Sequence, residues 1–222
     1  IMLEAVLFDF DGTLVPSLDY WLSGFKHAFA ELGHEVSEQE IIEGCFYKDD
    51  SLVAEAFGIE SHKTFWQLVQ HKIVMHYDSA ALVPGAREVL DFCRDRNLPL
   101  ALVTSSEKPV IERAFEVLDL ASYFKSVVTA DDVVNLKPHP EPVLKALAEL
   151  GVQAEKALFI GDYVVDVKAG RAAGVTTAIY FADDHKRFHD PSHIEASGPD
   201  FMFASYSELL GRLEKDLAAR TA

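Results

Sequence analysis

From residue 86 onward, helical segments alternate with short strand-like runs, and this alternation restricts the fold more than any other feature of the sequence. The runs are largely apolar and do not alternate with polar residues, which is typical of strands in a parallel sheet covered by helices on both faces. Each follows a helical segment, at residues 98–103, 126–129, 156–160 and 176–180. The pattern predicts an α/β fold with a doubly wound, Rossmann-like parallel sheet.

The first predicted strand, residues 5–8, runs directly into Asp9 and Asp11, which are followed by Gly12. Side chains two residues apart leave the same face of an extended backbone, so both carboxylates are expected at one end of this strand. Such close carboxylates repel each other unless a cation lies with them, and Mg²⁺ is the simplest candidate. Taken alone, an Asp-x-Asp-Gly sequence is as typical of an ordinary turn as of a site.

The segment after this strand has helical spacing and no convincing strand pattern. Aromatic and aliphatic residues recur at helical intervals from Leu18, and Ser37 with Glu40 forms a predicted capping box for the next helix. We therefore expect an all-helical insert of about four short helices. The predicted domains are a helical cap at residues 16–82 and an α/β core at residues 1–15 and 83–222.

Composition excludes several classes of partner. The chain has 36 acidic and 20 basic side chains, a formal net charge of −16, and no basic cluster, so neither nucleic acid nor a membrane is an expected partner. Cys45 and Cys93 lie far apart without metal-ligand spacing, as is typical of reduced thiols. The first apolar run is too short to span a bilayer and lacks a preceding basic segment, which predicts a cytoplasmic protein. No pattern indicates the oligomeric state.

Polar residues follow several of the predicted strands, and in doubly wound sheets ligands bind beyond the carboxyl ends of the strands. Phosphoryl transfer needs a nucleophile, a proton donor, a cation and donors for the phosphate oxygens. Together the polar residues supply a candidate for each role. They are Asp9 and Asp11, Thr104 and Ser105, Lys137, and Asp162 with Asp166.

Each of these residues also has an ordinary explanation. Thr104 could cap a strand end, Lys137 could be a solvated charge, and the acids Asp162 and Asp166 could favour a helix N-terminus. Their occurrence together after successive strands is what favours an enzyme over a set of coincidences.

This set and its order resemble the haloacid dehalogenase superfamily of aspartate-nucleophile phosphotransferases. The similarity covers essentially the whole chain, since members with a helical cap carry an insert after the first motif. It is greatest to the phosphoglycolate phosphatase and β-phosphoglucomutase branch. The residues that carry it are Asp9-Phe10-Asp11-Gly12-Thr13, Thr104, Lys137 through Pro142, Gly161-Asp162 through Asp166, and Ala169 through Gly174.

The resemblance implies a role for each motif residue in phosphoryl transfer. Asp9 would attack phosphorus and form an aspartyl-phosphate, while Asp11 would act as general acid and then as general base. Thr104 would donate to the phosphate oxygens, with Ser105 as a further phosphate-binding candidate. Lys137 would neutralise charge on the nucleophile and on the phosphoryl group.

The resemblance also implies a magnesium site. Asp9, the backbone carbonyl of Asp11 and Asp162 would bind Mg²⁺, and Asp166 would complete or orient the metal's surroundings. Tyr163 is a departure, because a small serine or threonine is common at this position of the branch. A hydroxyl contact near the metal is therefore expected to be lost or rearranged.

Within the predicted cap, residues 44–52 resemble the substrate-specificity loop of the same branch. Lys48 could contact a remote charge of the substrate when the cap closes, although a solvated lysine at a helix start explains it equally well. Tyr20 and Trp21 could line the cleft, but the helical spacing favours a core position for Trp21.

Four histidines are further candidates for a role in function. His185, His189 and His193 recur every four residues, as metal ligands on a helix face would, but Asp190-Pro191 interrupts any such helix. We therefore expect a polar surface loop there. His139 lies near Lys137, and a solvated loop position is favoured for it as well.

These observations predict a magnesium-dependent phosphatase that hydrolyses a small phosphorylated metabolite. A sugar-phosphate mutase would share every core residue and would differ in whether the cap keeps water from the aspartyl-phosphate. A receiver-like signalling module phosphorylated on aspartate is the alternative from another class, although receivers lack a helical insert after the first acids. The sequence pattern does not identify the substrate.

Overall fold

The computed structural model describes residues 3–48 and 50–218. In this part of the chain, six strands form one parallel sheet in the order β3-β2-β1-β4-β5-β6. The strands are β1 (Ala5–Phe8), β2 (Leu100–Val103), β3 (Phe124–Val128), β4 (Ala157–Gly161), β5 (Thr176–Tyr180) and β6 (Phe201–Phe203). The predicted doubly wound, Rossmann-like fold is confirmed.

The first four helices that follow β1 in the chain form the predicted insert, and we refer to them as the cap helices. They are α1 (Leu18–Glu31), α2 (Glu38–Cys45), α3 (Asp50–Ala56) and α4 (His62–Tyr77). The predicted capping box of Ser37 and Glu40 is present at the start of α2. That residues 16–82 form a separate domain stays a prediction.

The remaining helices cover the sheet and connect its strands. They are α5 (Ala86–Asp95), α6 (Lys108–Leu118), α7 (Glu141–Leu150), α8 (Val164–Ala173), α9 (Pro191–Ser197) and α10 (Tyr206–Ala218). Among the helices of the described residues, none combines the length and the apolar character needed to cross a bilayer.

Strand β1 lies at the centre of the sheet because both of its faces are apolar. Its side chains alternate between two buried clusters, with Ala5 and Leu7 on one face and Val6 and Phe8 on the other. The strand is bordered by β2 on one side and β4 on the other. From β1 the chain adds strands outward on one side, and from β4 it adds them outward on the other side. The carboxyl ends of β1 and β4, where this change of direction occurs, are therefore the expected position of a ligand site.

Aromatic side chains pack the cap helices against one another and against the carboxyl end of β1. Phe29 of α1 and Phe65 of α4 have ring centroids 4.9 Å apart. Phe10, which follows β1 closely, stacks on Tyr77 at the end of α4 with centroids 5.8 Å apart. Tyr77 therefore reaches from the cap helices to the carboxyl end of the central strand.

The segment after β5 differs from the expected surface loop. A 3₁₀ turn spans Asp183–Arg187 and helix α9 begins at Pro191, with the Asp190 side chain accepting the Ser192 N–H as its N-cap. Proline is tolerated in the first turn of a helix, where its missing N–H leaves no bond unmade. Pro191 thus starts a helix here instead of only ending one.

The expectation of an exposed loop was therefore wrong for two of its three histidines. His185 and His189 are each only 3% exposed, because the 3₁₀ turn directs them toward the sheet. His193, on α9, is exposed as expected.

Both cysteines are free thiols within the core. Cys45 ends α2 and Cys93 lies in α5, and each is buried. Burial raises the pKa of both thiols to about 12, so they stay protonated and unreactive near neutral pH.

Replacing Gly170 of α8 by alanine is expected to lower the free energy of unfolding by about 1–3 kcal/mol. An added Cβ would lie 2.5 Å from Cγ2 of Thr177 and 3.2 Å from Cγ2 of Val175, which pack beneath the helix. The same change at Gly211 of α10, where none of the described residues lies within 4 Å of the new Cβ, is expected to raise that free energy by up to about 1 kcal/mol. Urea unfolding of both variants measures the two effects, and equal effects would contradict the packing described.

Candidate active site

Three carboxylates and one ammonium group meet at the carboxyl ends of β1 and β4. Asp9 follows β1 directly, Asp162 follows β4, and Asp166 lies in the first turn of α8. Lys137 reaches the same place from the segment before α7, and its side chain is only 3% exposed. All three carboxylates are buried. The structure thus brings together four of the residues predicted from the sequence.

Lys137 joins two of these acids. Its Nζ lies 2.7 Å from Asp9 Oδ1 and 2.7 Å from Asp166 Oδ1, and it also donates to the Val103 carbonyl at 3.2 Å. Burial alone lowers the pKa of Lys137, but the carboxylates of Asp166 and Asp9 outweigh burial and raise that pKa above its ordinary value. The ammonium is therefore charged at neutral pH and is held by three acceptors, of which the Val103 carbonyl lies at the end of β2.

Asp166 serves the helix as well as the lysine. Its second oxygen, Oδ2, accepts the backbone N–H groups of Asp162 at 3.3 Å and Tyr163 at 3.1 Å. A carboxylate at this place also favours the N-terminal end of α8. The ordinary explanation for Asp166, a carboxylate at a helix N-terminus, is therefore confirmed, and its predicted role beside the metal stays a prediction.

The carboxylates fit a magnesium ion. One ligand oxygen from each of Asp9, Asp162 and Asp166 lies within 4.8 Å of the others. Oδ1 of Asp162 is buried and has no hydrogen-bond partner among residues 3–48 and 50–218. An unpaired buried carboxylate oxygen is costly, and carboxylate oxygens are the ligands that Mg²⁺ prefers. We infer that these three residues would hold the cation.

The electrostatics of the cluster point the same way. Burial raises the pKa of Asp9 well above its usual value; Lys137 lowers it, and the neighbouring carboxylates Asp166 and Asp162 raise it again. Burial likewise raises the pKa of Asp166. One ammonium does not balance three buried carboxylates, so a further positive charge stabilises their ionised form.

Asp11 lies in a separate arrangement of donors. Its Oδ1 accepts hydrogen bonds from Ser17 Oγ at 2.6 Å, Trp21 Nε1 at 2.8 Å and Tyr77 Oη at 2.6 Å. Its Oδ2 accepts from Ser106 Oγ at 2.5 Å. The carboxylate is thus held toward the cap helices, apart from the Asp9 cluster.

The environment of Asp11 corrects one expectation and leaves another open. Trp21 was expected in the core, but it is half-buried and its indole N–H binds Asp11. The predicted contribution of Asp11 to the metal was through its backbone carbonyl, and this stays a prediction.

Gly12 allows the chain to pass close to Asp162. Its φ is +71°, and a Cβ at this position would lie 2.3 Å from Asp162 Oδ2. Its carbonyl accepts a hydrogen bond at 2.8 Å from Nε2 of the buried His185. The turn after Asp11 therefore requires glycine for both conformation and space.

The two predicted phosphate-binding residues, Thr104 and Ser105, follow β2 and differ in exposure. Thr104 is buried, and its Oγ1 accepts the Ser106 N–H at 3.0 Å. This bond agrees with the ordinary explanation that Thr104 caps the end of the strand. Ser105 is exposed, whereas Ser106 faces Asp11. The roles of Thr104 and Ser105 in binding phosphate stay predictions.

Two other candidates lie at the surface. Lys48 is exposed and lines a groove of about 1340 Å³ together with Tyr47 and Tyr163. His139 is exposed, and its Nδ1 accepts the Glu141 N–H at 3.2 Å, in line with a loop position. The proposed contact of Lys48 with substrate stays a prediction.

Two residues to which the sequence analysis gave no role in the site lie against the carboxylate of Asp162. His189 Nε2 is 2.9 Å from Asp162 Oδ2, and the Tyr47 hydroxyl is 3.2 Å from the same oxygen. Tyr163 stacks on Tyr47, with centroids 4.2 Å apart. The four-residue histidine spacing was the available signal for His189. Tyr163, the departure from the branch pattern, here fills the space beside both residues with an aromatic ring.

A parallel sheet in which a buried lysine joins two aspartates at the carboxyl ends of the central strands is an arrangement typical of phosphoryl-transfer enzymes. The model of the haloacid dehalogenase-like hydrolase family matches residues 6–180. Pyrophosphatase PpaX of Anoxybacillus flavithermus is 31% identical over 215 residues, which are 95% of this chain and 97% of that protein. This chain belongs to the haloacid dehalogenase-like hydrolase family, and within it to the phosphatases.

Solved structures agree with this fold over nearly the whole chain. A hydrolase from Pseudomonas syringae has a TM-score of 0.82 at 22% identity, covering 96% of this chain and 98% of that one. A predicted phosphoglycolate phosphatase from Haemophilus somnus has a TM-score of 0.78 at 20% identity, covering 96% and 99%. At these identities the likeness concerns the fold.

Replacing Asp9 by asparagine is expected to raise the free energy of unfolding of the metal-free protein at pH 8 by at least about 1 kcal/mol. The raised pKa of buried Asp9 means that its ionised form destabilises the fold, and a neutral amide removes this cost. The parent loses stability as pH rises through the pKa of the folded state, so the difference should shrink as pH falls toward about 4.

Urea unfolding in the presence of a chelator at several pH values measures this difference. Asp183→Asn is the control, since Asp183 is 95% exposed and should show no such gain. A less stable Asp9→Asn protein at pH 8 would mean that the ion pair with Lys137 outweighs the cost of burial.

Proposed function

We propose that this protein is a magnesium-dependent phosphatase that hydrolyses small phosphate monoesters through an aspartyl-phosphate on Asp9. The observation that carries the proposal is the Lys137 ammonium held between Asp9 and Asp166, which cluster with Asp162, whose Oδ1 has no hydrogen-bond partner in the described part of the chain. This arrangement combines a nucleophile, a fixed positive charge and a cation-binding carboxylate within one buried cluster.

In this mechanism Asp9 is the nucleophile and Lys137 controls its charge and orientation. Lys137 holds Oδ1 of Asp9 at 2.7 Å and offsets the repulsion between the carboxylate and an approaching phosphate. A magnesium ion bound by Asp9, Asp162 and Asp166 would supply positive charge for the phosphate oxygens. Thr104 and Ser105, at the end of β2, are proposed donors to those oxygens.

Asp11 is the proposed general acid and base. It would protonate the leaving oxygen and then take a proton from the water that attacks the aspartyl-phosphate. Its four donors include Trp21 and Tyr77 from the cap helices, so the carboxylate is oriented by the same segment that is proposed to contact the leaving group. Breaking one or more of these bonds would accompany proton transfer.

The substrate is proposed by class. The Anoxybacillus relative is named as a pyrophosphatase, which makes inorganic pyrophosphate a candidate beside phosphate esters of small metabolites. The net charge of −16 disfavours nucleic acid as a partner, and a cytoplasmic location stays part of the proposal. The family match favours an enzyme over a receiver-like module, while a mutase outcome would require water to be kept from the intermediate.

Phosphate release from a panel of substrates tests this proposal. The panel comprises pyrophosphate, phosphoglycolate, several sugar phosphates and p-nitrophenyl phosphate, each with Mg²⁺ and with a chelator. Turnover is expected only with Mg²⁺, and Asp9→Asn is expected to lower it by more than about 10³-fold because the nucleophile is lost. Asp183→Asn serves as the control acid. Turnover that survives Asp9→Asn, or that ignores the chelator, would contradict the mechanism.

The same assay separates the role of Asp11 from that of Asp9. Asp11→Asn is expected to lower kcat by about 10²–10⁴-fold while Mg²⁺ binding, measured by calorimetry, is retained. Activity equal to that of the parent would remove the acid and base assignment.

A further inference from the structure

His189 is a buried histidine that the proposed mechanism does not use. Its side chain and that of Asp162 are both 0% exposed, and His189 Nε2 lies 2.9 Å from Asp162 Oδ2. It follows the 3₁₀ turn after β5 and is distant in sequence from the motif residues. A buried polar contact with a metal-binding carboxylate is a candidate for function.

The two oxygens of Asp162 have different surroundings. Oδ2 is bound both by His189 and by the Tyr47 hydroxyl, whereas Oδ1 has no hydrogen-bond partner in the described part of the chain. A carboxylate held through one oxygen by two donors cannot rotate freely about its terminal bond. Oδ1 therefore keeps a fixed orientation, and one carboxylate oxygen of Asp162 lies within 4.8 Å of ligand oxygens of Asp9 and Asp166.

His189 itself lies outside the group that could hold the cation. Within residues 3–48 and 50–218, the group of three ligand atoms that all lie within 4.8 Å of one another comes from Asp9, Asp162 and Asp166 and does not include His189. The nitrogen that faces the carboxylate is Nε2, so the geometry assigns the donated proton to this atom. The ring thus contacts a ligand of the cation and not the cation itself.

The packing around His189 fixes its ring. Tyr163 lies with its centroid 4.4 Å from that of His189, and Tyr47 lies at 5.4 Å. Tyr47 comes from the segment between α2 and α3 and has a φ of +58°, a left-handed conformation that costs energy for a tyrosine. The segment adopts it while placing the hydroxyl 3.0 Å from His189 Nε2.

We propose that His189 is a positioning residue that orients the carboxylate of Asp162 for binding the cation. Tyr47, from the segment between α2 and α3, contacts the same carboxylate oxygen and completes this support. The proposal rests on the proposed function, since it requires a cation at Asp162. By orienting Oδ1, the two side chains raise the affinity of the site for the cation. By linkage, the bound cation stabilises the contact that Tyr47 makes between the cap helices and the sheet.

Metal binding to chelator-stripped protein, without substrate, tests this proposal. Calorimetry measures Mg²⁺ affinity and electron paramagnetic resonance measures Mn²⁺ affinity. His189→Leu fills the apolar space but cannot donate, and it is expected to weaken both ions by about 10–100-fold. His189→Gln can donate from a similar distance and is expected to restore most of the affinity. His193→Leu, at the exposed member of the same histidine series, is the matched control and should bind as the parent does.

The outcomes distinguish this proposal from the proposed function. A parent that binds neither ion would overturn the metal site itself. A parent that binds, together with a His189→Leu variant of equal affinity, would overturn only the positioning role. A much larger loss for Mn²⁺ than for Mg²⁺ would indicate a direct nitrogen ligand, which also contradicts positioning. If His189→Leu does not fold, the shorter His189→Asn replaces it, and the same loss relative to His189→Gln is expected.

Tyr47→Phe tests whether the Tyr47 hydroxyl contributes to the orientation of Asp162. It keeps the ring stacked on Tyr163 and removes only the hydroxyl. A smaller loss of affinity than in His189→Leu is expected, and Mg²⁺ should no longer increase the hydrogen-exchange protection of residues 44–48 as it does in the parent. Unchanged affinity and unchanged protection would overturn the contribution of Tyr47.

Discussion

The ion pairs of Lys137 with Asp9 and Asp166 are the interaction on which the rest of the site depends. Burial and the neighbouring carboxylates both raise the pKa of Asp9 and so disfavour its ionised form, whereas the charge of Lys137 lowers that pKa. One ammonium with three acceptors offsets part of that cost and ties the end of β2 to the edge between β1 and β4. The charge left over is what a divalent cation would balance. Binding of a cation at this place would therefore be coupled to the ionisation of Asp9.

The parallel sheet explains how residues so far apart in sequence meet. Strands β1 and β4 are neighbours, and the Asp9 N–H donates to the Ile160 carbonyl at 2.8 Å, so Asp9 and Asp162 leave the sheet side by side. The cap helices add a second set of contacts at the same edge. Tyr77 binds Asp11 and Tyr47 binds Asp162. Asp11 and Asp162 are thus both contacted by residues from the segment between β1 and α5.

Much of this could be predicted from the sequence because local patterns determined it. The apolar run before Asp9 is typical of a strand buried on both faces, α1 begins at Leu18 where the spacing predicted it, and α2 begins at the predicted capping box of Ser37 and Glu40. The motif acids followed from their positions after strands. The order of the strands in the sheet then brought Asp9, Lys137 and Asp162 to a common edge, as the resemblance implied.

Tertiary contacts decided what the sequence pattern left out. Pro191 was treated as the end of any helical arrangement, yet it starts α9, and the turn before it directs His189 to Asp162. The turn after β2 exposes Ser105 and directs Ser106 to Asp11, a choice that depends on backbone geometry and not on residue type. The donors of Asp11 come from separate helices, so no local pattern could have predicted their meeting.

The central claim is that Asp9 becomes covalently phosphorylated during turnover. Acid quenching of the enzyme during Mg²⁺-dependent turnover, reduction with borohydride and peptide mass spectrometry would identify the phosphorylated residue, because borohydride converts an aspartyl-phosphate to homoserine. We predict homoserine at position 9, and none in enzyme quenched without substrate. Steady turnover with an unmodified Asp9, or with homoserine at another aspartate, would contradict this account.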